Sequence, residues 1–139
     1  MVEGYEFFEH TADVGLRATG RTLDELFVNA ARGLVELLAE DSRIESGETR
    51  TVELNAASVE ALLRTWLTEL LVWFGQDHFL PRDYTFDRLT QTSLRASVQG
   101  ERFNASRHVY GTEVKGVTRH QLQVTHHNDR WEAQLIFDV

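Results

Sequence analysis

Apolar residues return at three- and four-residue steps in two stretches of the chain. In the first, Leu23, Leu26, Phe27, Ala30, Ala31, Leu34, Leu37 and Leu38 fall on one face, which is the spacing of an amphipathic helix. Thr22 stands at the cap position, and Glu25, three residues on, can reach back to complete a capping box. The pattern predicts a helix over residues 22–39. The second stretch begins near Ser58 and carries Val59, Leu62, Leu63, Trp66, Leu67, Leu70, Leu71 and Phe74, with Gly75 placed to stop it. Val72 and Trp73 widen its apolar face, so this helix is expected to be well buried.

Between and after the helices the period changes to two, or the residues turn β-branched and aromatic. Strands are predicted at 5–8, 14–18, 51–54, 94–98, 113–117, 121–125 and 131–137. His127-Asn128-Asp129 reads as a hairpin connection between the last two. The segment 76–86, which holds the only proline, Pro81, is expected to be an irregular loop. Strands and helices alternate too seldom for a doubly wound parallel sheet. The expectation is an α+β fold, a single domain over residues 1–139, with two helices packed on one face of a mixed sheet.

Composition narrows the chemistry. The chain has 139 residues and no cysteine, which removes disulfide frameworks, thiolate zinc sites, iron–sulfur clusters and cysteine nucleophiles. With 14 Lys and Arg against 22 Asp and Glu, the net charge is -8. That field repels phosphate backbones, so no tight direct nucleic-acid binding is expected, and a basic or metal-bearing partner suits the chain better. The first residues lack the basic and apolar regions of a secretory signal, and no run approaches membrane-spanning length. A cytoplasmic protein without a membrane partner is expected.

Three places hold candidate chemistry. Glu9-His10-Thr11-Ala12-Asp13-Val14-Gly15 follows an aromatic strand, and there His10 could offer a nitrogen and Asp13 an oxygen to a cation. The same residues would serve as a turn in which Asp13 and Thr11 satisfy local amides. At the C-terminus, Asp138 and the α-carboxylate of Val139 are held together by the chain. With Asp13 they would form a cluster that needs a cation or a basic side chain to neutralise it. A solvated, frayed end is the alternative. The third place is Lys115, between Val114 and Gly116-Val117, where a lysine could balance carboxylates, meet a phosphate or partner, or simply blunt a sheet edge. His78, His108, His120, His126 and His127 show no chelating pattern and are read as surface or loop residues. Hydrolase elbows, phosphate-binding glycine loops and dinucleotide fingerprints are all absent.

Taken together, Phe8-Glu9-His10-Thr11-Ala12-Asp13-Val14-Gly15, Val114-Lys115-Gly116-Val117-Thr118 and the terminal Phe137-Asp138-Val139 resemble the archease family. The helix segment 62–71 and Gly100-Glu101-Arg102-Phe103-Asn104 are similar to it as well, and the resemblance spans the chain. Arg119, where the family resemblance suggests an aromatic residue, and the longer segment 76–85 depart from the pattern. The resemblance implies a protein that is not itself an enzyme. It would assist an RtcB-type RNA ligase, promoting ligase guanylylation and multiple turnover in tRNA splicing or RNA repair. It further implies a divalent metal ion, calcium first with magnesium or manganese as alternatives, held by Asp13 and Asp138 with the Val139 carboxylate. His10 would lie nearby, and Lys115 would act in activation or partner contact. Two other readings stay open: a chaperone or modulator of RNA-modifying enzymes such as a tRNA methyltransferase, and a metal-dependent hydrolase with His10 as base.

Overall fold

The computed structural model describes residues 4–10, 13–40 and 42–139, with His10 described by its backbone only. Helix α1 spans Leu23–Leu38 and is capped as the sequence suggests, Thr22 Oγ1 accepting from the Glu25 N–H at 3.1 Å. Helix α2 spans Val59–Asp77, and Ser58 Oγ accepts from the Ala61 N–H at 3.1 Å. It runs two residues past the expected stop at Gly75. His78, in the left-handed region at φ 62, ends it instead. The buried Phe79 and Leu80 that follow fix where the chain must leave the helix, outweighing the modest helix penalty of a glycine.

The described residues also form eight strands: β1 Tyr5–His10, β2 Asp13–Gly20, β3 Glu48–Asn55, β4 Phe79–Leu89, β5 Ser93–Arg102, β6 Gly116–Val117, β7 Gln123–His127 and β8 Arg130–Asp138. The α+β class holds, but the strands form two sheets rather than one mixed sheet. One has five strands in the order β1-β2-β8-β6 with β7 also on β8, and the other is β3-β5-β4. Every ladder among the described residues is antiparallel. Each helix touches both sheets, so the helices fill the space the two sheets leave and do not lie on one face of a single layer.

The segment expected to be a loop is largely β4. Pro81 is compatible with it because β4 is an edge strand and its register shifts between Pro81 and Asp83. A missing N–H is tolerated at such an edge or bulge. The β7–β8 connection is the expected hairpin. Asn128 and Asp129 both take positive φ, 52 and 58, the backbone a two-residue turn requires and these side chains tolerate.

One apolar cluster joins both helices to both sheets. Trp66 is at its centre, fully buried, with its indole N–H donating to the Phe27 carbonyl at 3.1 Å and its ring against Tyr84 and Phe86. Among the described residues no helix is long and apolar enough to cross a membrane.

Candidate functional site

The five-stranded sheet gathers the sequence candidates at one end. In the β1–β2 hairpin His10 lies opposite Asp13. On the next ladder Val14 faces Phe137, and one rung further along stand Asp13 and Asp138, on strands that lie about 4.8 Å apart. On the other side of β8, Gly116 pairs with Asp138, and the Lys115 N–H donates to the Asp138 carbonyl at 2.7 Å. Four strand ends thus meet, although residues 13 and 138 are nearly a chain length apart.

Strand alternation decides which way these residues face. Phe137 pairs with Val14 on one side and Val117 on the other, and Phe137 and Val117 are buried in the core. Their neighbours Asp13, Asp138 and Gly116 therefore share the outward face. Asp138 and Lys115 are exposed, and Asp13 and Val139 are half-buried. Val139 packs partly against the core, as expected if it alternates with Asp138.

The next outward row is apolar. Phe8 pairs with Gly15, and Gly15 with the fully buried Ile136. The Phe8 ring lies across Gly15 so closely that an added Cβ would meet it at 2.2 Å, which explains why the position is a glycine. The Arg17 guanidinium covers the same ring at 4.3 Å and pairs with Glu6 at 3.6 Å. This packing fixes the hairpin register and hence the place of Asp13.

Asp13 and Asp138 offer oxygen donors on adjacent strands, the chemistry a hard divalent cation takes. Among the described residues no third His, Cys, Asp or Glu side chain joins them. The donor set fits calcium, magnesium or manganese better than a metal that seeks sulfur or several imidazoles. The imidazole of His10 and residues Thr11 and Ala12 lie outside what the structure describes.

One of the histidines read as surface or loop residues is a loop residue that the fold buries. His108 lies in a loop but is buried, not at the surface. Its Nδ1 accepts from the Asn104 N–H at 2.8 Å, which leaves Nε2 to carry the proton toward the Arg43 carbonyl and Glu101 Oε2, each at 3.1 Å. Glu101 also accepts from the Glu45 N–H at 2.6 Å and from both Arg107 terminal nitrogens. The Arg107 guanidinium chiefly, aided by these other donors and opposed by burial, holds the Glu101 carboxyl down at about 2. This cluster ties the segment after β5 to the one before β3. The family-like run 100–104 contains Glu101, but nothing in its spacing announces partners at 43, 45, 107 and 108.

Comparison with known proteins agrees with this architecture. Residues 5–139 match the model of the archease protein family. The archease of Methanosarcina barkeri is 33% identical over 139 residues, covering 97% of this chain and 95% of that protein. That of Sulfurisphaera tokodaii is 32% identical, covering 99% and 100%. The solution structure of Methanobacterium thermoautotrophicum protein 1598 superposes with a TM-score of 0.81 at 32% identity, over 98% of this chain and 99% of that one. A Thermotoga maritima crystal structure, described as an archease and possible chaperone, gives a TM-score of 0.68 at 21% identity, over 95% and 94%, which shows the shared fold.

Proposed function

The chain belongs to the archease family, and on that footing we propose that it serves as a metal-binding protein cofactor of an RtcB-type RNA ligase. It would promote guanylylation of the ligase and multiple turnover in tRNA splicing and RNA repair, leaving the joining chemistry to the ligase. The observation that supports this most is the meeting of Asp13, Asp138 and Lys115 at one end of the five-stranded sheet.

In this reading Asp13 and Asp138, with the Val139 carboxylate, hold a divalent cation, calcium first and magnesium or manganese as alternatives. When bound, such a cation supplies positive charge for phosphoryl oxygens, where phosphoryl transfer needs it. The chain's own part is positional. Strands β2 and β8 keep the two carboxylates at a fixed spacing, and the Lys115 N–H anchors the carbonyl of Asp138 itself. Lys115, exposed at the same end of the sheet, then offers its ammonium to a phosphate or carboxylate of the partner.

A calorimetric titration with calcium tests the metal site: saturable binding is expected in the native chain and none in Asp13→Ala or Asp138→Ala. RNA joining beyond one turnover per ligase, driven by substoichiometric protein, tests the activator role. Steady hydrolysis by the purified chain alone would point instead to the hydrolase with His10 as base. A second reading, a chaperone or modulator of RNA-modifying enzymes, draws on the description of the Thermotoga maritima relative. It also draws on the exposed Val72, Val109 and Tyr110, apolar groups that a client could cover. Rescue of aggregating clients unrelated to the ligase would favour it.

A further inference from the structure

A cavity of about 330 Å³ opens between the second half of α1, the segment that follows it and the start of β4. Arg32, Arg43 and Arg82 line it, and Glu36 is the one carboxylate among its described lining residues. In a chain of net charge -8, three arginines around one hollow is a concentration against the overall sign. Tyr5 also lines the cavity. It begins β1, whose far end is His10, so the strand alone separates the cavity from the Asp13 end by roughly 16 Å.

Among the described residues the arginines are weakly held. Arg32 makes no ion pair or hydrogen bond among the described residues. Arg43 and Arg82 share Glu45 at 3.9 Å each, and Arg82 reaches Asp83 at 3.7 Å. Exposed pairs this long are readily exchanged for a better anion. The Tyr84 hydroxyl, on a residue that lines the same cavity, is buried with no hydrogen-bond partner among the described residues, a donor that an anion could use.

A guanidinium fork matches phosphate oxygens two at a time. A base, by contrast, needs an exposed ring face, and the cavity has none to give. Tyr5 is buried, and the Tyr84 ring packs edge-on against Trp66 at 5.9 Å. The geometry points to a phosphate-binding site in which Arg32, Arg43 and Arg82 hold a small phosphate-bearing molecule, separate from the strand-end carboxylates. Free inorganic phosphates and the phosphates of a nucleotide share this chemistry. The inference does not depend on the ligase reading.

Pyrophosphate is the first probe, titrated into the full chain by calorimetry with EDTA present so that no divalent cation contributes. GDP and guanosine follow. Pyrophosphate is expected to bind, and the double variant Arg32→Ala/Arg82→Ala to weaken it about tenfold or more, the scale of a lost charge-assisted hydrogen bond. Arg130→Ala, an exposed arginine elsewhere, should bind as the native chain does. Circular dichroism of the variants checks that these surface changes leave the fold intact. GDP binding more tightly than pyrophosphate, with guanosine silent, would identify a nucleotide as the source, and equal binding would identify free phosphate. Absence of binding by both phosphates, undiminished binding in the double variant, or guanosine binding as well as GDP would overturn the site.

Discussion

Glu101 and Asp138 are both carboxylates near the end of a strand, and the fold treats them differently. The Glu101 side chain keeps 13% of its exposure and receives donors from Glu45, Arg107 and His108. Asp138 is exposed, and the bond that ties it down reaches its carbonyl, not its carboxylate. A strand-end position therefore does not decide what a carboxylate does. What decides is whether distant parts of the chain bring donors to it. A carboxylate saturated from within holds loops in place, whereas one turned outward with its backbone fixed is available to a ligand.

That contrast breaks most visibly at Glu101. Glu101→Ala leaves Arg107 without its acceptor and His108 with the Arg43 carbonyl alone, and should cost about 2 kcal/mol in denaturant unfolding. A cost no larger than that of an ordinary surface change would remove its structural role.

Acid should reveal the same group. Its folded value, about 2, lies below the ordinary 4.5, so the stabilisation is complete above the unfolded value and is lost as pH falls from about 4.5 toward 2. Thermal melts across this window should show the decline, and Glu101→Gln should flatten it.

Tyr84 stands between the extremes, since its hydroxyl is buried and has no hydrogen-bond partner among the described residues. Tyr84→Phe removes that group and keeps the ring against Trp66, so stability measured without added anions should hold or rise by up to about 1 kcal/mol. The smallest effect belongs to the outward pair. Asp138→Ala and Asp13→Ala should each shift metal-free unfolding by no more than about 0.5 kcal/mol.

The two helices were legible because their signals are local: a cap residue, an acid three positions on, and an apolar stripe. Strand β4 was not, because Pro81 and the register shifts between Pro81 and Asp83 and between Phe86 and Arg88 interrupt the alternation by which a strand is recognised. The division into two sheets was equally hidden, since which strand pairs with which is settled by contacts across the chain. The strand-end residues show both sides of this. Asp13, Lys115 and Asp138 could be named from their sequence surroundings, but only the β2–β8 and β6–β8 ladders bring them to one end of the sheet. His108 was illegible for the reverse reason: its carbonyl partner, Arg43, lies 65 residues away, and no local pattern marks a histidine for burial.

The most direct test is a guanylylation time course of an RtcB-type ligase from the same organism with GTP and a divalent metal. It would be run with the native chain, with Asp13→Ala and with Asp138→Ala, each at substoichiometric amounts. The account predicts a clear acceleration by the native chain that both folded variants fail to give. Acceleration that survives the loss of both aspartates, or a native chain without effect on its own ligase, would contradict it.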